Sequence, residues 1–459
     1  MQKISQEAIT HFQSIVGDKN VRQSPNDLEH MGKDWSTVPN PRPSVILLPS
    51  CTKEVSEILR YCNEQAIKVV PSGGRTGLVG GAMAVNGEVV LSLQRMNKII
   101  AIDSIGMFTS VEAGVNTQAL QLAAKEHGVM FGLDLGSAGS SLIGGNISTN
   151  AAGKKFIRNG GMRQQVLGLE VVLADGRVLN LKGSLRKDNT GYALEELFIG
   201  AEGTLGIITK ATLRLQPLPA QTTTLCCVTD TFQKVLRTLE LCHLKGLQVN
   251  TFEFFSRSSY EAVRRLKELK PLFDGNCYML IVLEGGNQER IDAVVEQMFS
   301  DELVSDGLIA QSPEERLNLW TYRDMIVEAV GVYKVFKRTD VSLPIPRMGE
   351  YLNELMQRFA SRPPSIDIIA YGHVGDGNFH IDYISNNPAD RDKIIAMERE
   401  QHELVSTYNG SISAEHGIGL LKKPYLNLTR SEEEINLMRN IKQLLDPVGI
   451  LNPGKIFDL

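Results

Sequence analysis

Between positions 71 and 209 the chain carries three loops dense in glycine and small polar residues, and nothing else in it restricts the fold as strongly. The first is Pro71-Ser-Gly-Gly-Arg-Thr-Gly-Leu-Val-Gly-Gly81, directly after the apolar run Ile67 to Val70. The second runs from Gly136 to Gly153, and the third is Gly200-Ala-Glu-Gly-Thr-Leu-Gly-Ile-Ile-Thr209. Glycine lets backbone N–H groups approach a diphosphate closely and point at it. Arg75 and Thr76 can add donors. The pattern is neither Gly-x-Gly-x-x-Gly nor a loop followed by a Walker lysine, so neither of those nucleotide sites fits. One such loop is an ordinary tight connection. Three in one region point to a cradle for a large phosphorylated cofactor.

The surrounding periodicity is that of an α+β protein. Ser44 to Leu48 is β-rich, and Thr52 is positioned to cap a helix with Val55, Ile58, Leu59 and Cys62 on one face. Ile67 to Val70 follows as a strand. Leu169-Glu-Val-Val-Leu and Val178-Leu-Asn-Leu, joined through Asp175-Gly176, predict a hairpin. The stretch Leu215-Gln-Pro-Leu-Pro-Ala reads as a linker. A length of 459 residues suits two or three domains. We place them at 1–217 with an N-terminal helical extension, at 218–445, and at 446–459 as a returning tail.

Other partners are disfavoured. The net charge of −5 is spread along the chain with no basic run, which argues against nucleic acid. The segment to Gly17 lacks the apolar core of a signal peptide, and no apolar run would span a bilayer. The expected location is cytoplasmic, or peripheral at a membrane. The six cysteines form no Cys-x-x-Cys pair and read as reduced core thiols.

The glycine-loop trio, over about Arg42 to Pro217, resembles the FAD-binding domain of the vanillyl-alcohol oxidase / p-cresol methylhydroxylase superfamily. The resemblance implies that Pro71, Gly73, Gly74, Thr76 and Gly77 take the pyrophosphate, beside which Arg75 is the added donor read from the loop itself. It also implies that Ser137, Gly139, Gly144, Gly145, Asn146, Thr149, Gly153, Glu202, Gly206 and Ile207 line the rest of the FAD. Many members hold the flavin covalently through a histidine of the first loop. Residues 71–81 contain no histidine or cysteine, so non-covalent FAD is expected.

Near the other end lies Tyr371-Gly-His373-Val-Gly-Asp-Gly-Asn378-Phe-His380-Ile-Asp382, with two strand-like stretches around Gly375-Asp376-Gly377-Asn378. That turn can fold back and bring the two imidazoles to one point. Downstream comes Ser413-Ala-Glu415-His416-Gly417-Ile-Gly419. Two histidines and a carboxylate with an open position suit a catalytic divalent site. The chain has only eight histidines, and three fall in these two motifs.

This pair of motifs resembles the substrate-binding half of the FAD-linked dehydrogenases that act on D-2-hydroxyglutarate, D-lactate or glycolate. The resemblance implies a C-terminal α+β domain with an antiparallel sheet. It implies a metal, usually zinc, on His373, His380 and Glu415, and His416 as the catalytic base. It brings the tail Leu451-Asn452-Pro-Gly-Lys455 back to the flavin, and it puts a substrate arginine at Arg323. At three positions this chain departs from the hydroxyglutarate pattern. A lysine is replaced by Arg338, a threonine by Val327 and an asparagine by Asp382. Arginine's planar fork suits a carboxylate, whereas Asp382 adds a negative charge. The class of 2-hydroxy acids is expected, and the far end of the substrate stays open.

The expected reaction is oxidation of a D-2-hydroxy acid to the 2-oxo acid. Electrons then leave to an external acceptor: a quinone, an electron-transfer flavoprotein or another carrier. A homodimer is compatible with the sequence. The rival readings are a non-redox flavin enzyme of the same superfamily and a non-catalytic FAD-binding subunit. A non-catalytic subunit should lack the His–His–Glu-His set.

Overall fold

The computed structural model describes residues 2–219, 221–285 and 288–459. Ala220, the last residue of the predicted linker, lies outside them. The chain forms two compact units. The first comprises residues up to Gly153, Asn159–Leu218 and Glu415–Leu459; the second comprises Lys154–Arg158 and Pro219–Ala414. The return to the first unit thus begins at Glu415, ahead of the expected residue 446.

In the first unit, a four-stranded sheet runs in the order Val21–Arg22, Val45–Leu47, Val89–Ser92, Val69–Ser72. The last three strands are parallel, and the helix Thr52–Glu64 provides the crossover. Val55, Ile58, Leu59 and Cys62 are fully buried, as their shared face requires. The cap differs from expectation. Thr52 is the first helical residue, and its hydroxyl donates to the Glu170 carboxylate. Ser50 instead closes the helix start through its N–H and hydroxyl on Glu54.

A five-stranded antiparallel sheet follows, in the order Ile99–Asp103, Phe108–Glu112, Ile207–Arg214, Val166–Val172, Val178–Lys182. Its last two strands are the predicted hairpin, and Gly176 takes φ +83° at the turn. The C-terminal tail joins the first sheet. Leu451 bridges Val69, and the N–H of Asn452 donates to the Val69 carbonyl.

The second unit is built on a seven-stranded antiparallel sheet. Its order is Asp306–Ile309, Thr222–Thr229, Cys277–Glu284, Val249–Ser256, Asp367–His373, Asn378–Ser385, Val335–Ser342. Helices cover both faces, which is why strands such as Cys-Tyr-Met-Leu-Ile-Val-Leu read as unbroken apolar runs. Alternation sorts the side chains. Leu225 and Cys227 enter one core with Phe232, Phe254 and Phe379, while Cys226 and Val228 enter the other with Tyr260 and Tyr278. Five cysteines are buried, Cys51 is exposed, and none is paired. No described helix is long and apolar enough to cross a membrane.

Candidate functional site

The glycine loops of the first unit are built for close backbone approach. A Cβ on Gly74 would lie 2.2 Å from the Ser140 carbonyl, and one on Gly153 would lie 2.0 Å from that of Asp134. Arg75, Asn150, Glu202 and Asn452 all adopt left-handed backbone at φ between 42° and 58°. Such strain at non-glycine residues concentrates at ligand sites. The Ser72 hydroxyl and the Asn452 side-chain oxygen are buried without a hydrogen-bond partner among the described residues. Arg75 is half-buried, and that burial pulls its pKa down. A cradle with unanswered polar groups and a cation fits a diphosphate cofactor.

Several expected cofactor residues have structural work of their own. Asn146 donates to the Thr117 hydroxyl, and the Thr149 hydroxyl donates back to the Gly145 carbonyl. A Cβ on Gly144 would meet Ala113, and one on Gly206 would meet Val171 and Phe198. Asn452 ties the first and third loops together by donating to the carbonyls of Gly81 and Glu202.

Glu202 is more than a loop residue. Its carboxylate accepts from the N–H groups of Ile418 and Gly419 at 2.7 and 2.8 Å. It thereby clamps the segment that begins with Glu415 and His416. Gly417 takes φ +83°, and a Cβ on it would lie 2.8 Å from Glu202; one on Gly419 would lie 2.3 Å from the Val79 carbonyl. The two glycines of Glu-His-Gly-Ile-Gly are therefore steric requirements.

In the second unit the sheet brings His373 and His380 together. They lie on adjacent strands joined by the tight turn Val374–Asp376, with Gly377 at φ +80°. Asp376 is a turn residue, its carboxylate accepting from the Asn378 N–H. The imidazole centroids are 5.5 Å apart, with the rings nearly perpendicular. His380 stacks on Tyr371 at 4.8 Å, and the Arg323 guanidinium lies 4.8 Å over the other partner of that stack, Tyr371 itself. The Tyr371 hydroxyl donates to Asp382 at 3.1 Å. Burial, reinforced by the Asp382 charge, pushes that hydroxyl's pKa well up. Arg338 stands opposite Asp382 in the strand ladder and donates to the Val327 carbonyl; its Nε is buried without a partner among the described residues. Lys337 is paired with Glu398.

The sequence reading missed Glu253. It is fully buried in Val249–Ser256 and accepts from His373 Nδ1 at 2.6 Å and Arg323 Nε at 2.7 Å. Burial alone would raise its pKa, but the His373 imidazole and the Arg323 guanidinium hold it below the usual carboxylate range. The signal was an acid inside Val-Asn-Thr-Phe-Glu-Phe-Phe, an otherwise apolar strand. Lys154 was also missed. It belongs to the second unit, where it pairs with Asp324 and lies over Trp320.

Chemically, the second unit offers two imidazoles at one point beside fixed guanidinium groups. Imidazole nitrogens suit a divalent ion, and the guanidinium groups suit a carboxylate. Tyr371 and Asp382 complete the polar lining.

The sequence matches the family model of the FAD-linked oxidase C-terminal domain over residues 218–456 and that of an FAD-binding domain over 43–182. It is 39% identical to a D-2-hydroxyglutarate dehydrogenase of Xanthomonas citri pv. viticola, over 98% of this chain and 97% of the relative. It is 37% identical to a Schizosaccharomyces pombe protein provisionally named a mitochondrial D-lactate dehydrogenase, over 99% of this chain and 90% of the relative. Among solved structures, p-cresol methylhydroxylase superposes with TM-score 0.77 at 19% identity, covering 99% of this chain and 98% of that one.

Proposed function

This chain belongs to the FAD-linked oxidases, in the group of FAD-dependent D-2-hydroxy acid dehydrogenases, and from that premise we propose that D-2-hydroxyglutarate or D-lactate is its substrate, oxidised to the 2-oxo acid. The observation that carries the reading is the His373–His380 pair on adjacent strands, with Arg323 of the helix Pro313–Asp324 lying over the neighbouring Tyr371 ring.

The sequence motifs assign a divalent ion, zinc by preference, to His373, His380 and Glu415. FAD held by the glycine loops would supply a hydride acceptor, and a divalent ion held by His373, His380 and Glu415 would supply Lewis acidity toward the substrate hydroxyl. His416 removes the hydroxyl proton as general base, the role imidazole most often fills in enzymes. Arg323 and Arg338 hold the carboxylate end, and Asp382 sets what the far end of the substrate can carry. The remaining FAD contacts follow the three glycine loops and Asn452. Loop one offers no side chain for a covalent bond, so acid precipitation should release all the yellow colour into the supernatant. The electrons would leave to an external acceptor.

The reading is tested by anaerobic mixing of the purified holoenzyme with D-2-hydroxyglutarate, D-lactate, D-malate and glycolate. Rapid bleaching of the flavin band by a D-2-hydroxy acid supports it. No bleaching with any of the four would favour a non-redox flavin enzyme of the same fold.

A further inference from the structure

One carboxylate in the second unit joins two groups that the proposed function uses separately. Glu253 faces His373 directly across the antiparallel ladder, and its second oxygen reaches Arg323. We infer that Glu253 is a positioning residue that orients His373 as a metal ligand and Arg323 as the carboxylate-binding cation. This inference rests on the metal and arginine assignments above.

The chemistry is specific at each oxygen. A carboxylate accepts the Nδ1 proton of His373, which makes Nε2 the nitrogen that carries the lone pair. It also fixes the ring plane and raises the basicity of the ligand. Such outer carboxylates change metal affinity by about 10–100-fold when removed. At the other oxygen, the Nε edge of Arg323 is engaged, so the Nη edge is the one able to take a carboxylate end-on. The guanidinium cannot rotate easily, because its face rests on Tyr371. Neutralising Arg323 would need only one of the two contacts. The second contact reaches a histidine of the metal motif, a residue with which a purely charge-balancing acid has no need to bond.

A glutamine at this position offers one acceptor oxygen, so it can satisfy only one of the two donors and presents an N–H to the other. The test therefore compares holoenzyme and E253Q for zinc affinity, by chelator competition, and for KM and kcat with D-lactate and D-2-hydroxyglutarate. We expect the zinc Kd to rise on the order of 10–100-fold. The KM should rise roughly tenfold, as when one charge-assisted contact is lost. The kcat at saturating zinc and substrate should change far less. Unchanged zinc affinity, or a shift in only one of Kd and KM, overturns the joint role.

If E253Q does not fold because Arg323 loses its counter-ion, the charge-balanced double variant E253Q/R323M is compared with R323M alone. A zinc Kd raised about tenfold or more in the double variant supports the inference, and equal values overturn it. A parent enzyme that binds no zinc would overturn the metal assignment itself. That failure is seen in the parent and not in the variant, so the two are distinguishable.

Discussion

The Tyr371 hydroxyl lies 3.1 Å from Asp382, and both side chains are buried in adjacent strands of the seven-stranded sheet. A buried carboxylate beside a phenol kept protonated places a fixed negative charge among the groups proposed to receive substrate. Arg338 across the ladder offsets that charge, so the pair brings less net positive potential than a lysine and an asparagine would.

Asp382→Asn should therefore favour substrates with a second carboxylate. The ratio of kcat/KM for D-2-hydroxyglutarate to that for D-lactate is expected to rise about tenfold, or roughly 1.4 kcal/mol. Steady-state kinetics on both acids checks it, and an unchanged or lower ratio would remove Asp382 from the specificity role.

His416→Ala should leave FAD bound and slow anaerobic flavin reduction by on the order of 100-fold or more. The flavin-to-protein absorbance ratio monitors cofactor retention. Reduction at the parent rate would exclude His416 as the base.

Lys455 is almost fully buried and donates to the Met83 carbonyl. Desolvation lowers its pKa from 10.5 to about 8, against the partial support of Glu88, Asp34 and Glu202. Below that native pKa the lysine is protonated in both states, and the fold bears the full cost of the buried charge. Between about 8 and 10.5 the native state releases the proton while the unfolded state keeps it, so this group's contribution to stability rises with pH. Relative to Lys455→Met, the parent should gain up to about 3 kcal/mol across that window. Urea midpoints of both proteins at the two ends measure it. A pH-independent difference would contradict the assignment.

Five buried thiols, held protonated by desolvation, and one exposed thiol predict simple reactivity. In the native enzyme, a thiol reagent should modify Cys51 quickly and the remainder only after denaturation. Cys51→Ser should abolish the fast phase, and persistence of that phase would show another thiol to be accessible.

Much of this protein was legible locally. The crossover helix, the Asp175-Gly176 hairpin and the histidine turn each follow from periodicity and turn chemistry within short windows. The loop glycines were legible as well, although the structure divides their reasons. Gly74 and Gly153 permit close approach of backbone, Gly144 and Gly206 permit packing, and Gly417 and Gly419 fit under Glu202 and Val79. Thr52 shows the limit, because a residue type suited to capping found a stronger partner in Glu170, on a strand far along the chain.

The sequence by itself determined which residue types stand together, and the proposed chemistry is drawn from them: glycine loops proposed for a diphosphate, imidazoles for a divalent ion, arginines for a carboxylate. Each depends on residue types at short spacing, where geometry follows from the local backbone. Only the tertiary structure decided what holds those groups. Glu253 is 120 residues from His373 and 70 from Arg323, and Glu202 is more than 200 from the loop it clamps. The Glu253–His373 pairing is set by strand order and register in the seven-stranded sheet, while Arg323 comes from a helix and Glu202 meets its loop outside any strand. Loop closure adds so little cost with length that separation in sequence carries almost no information about which residues will meet.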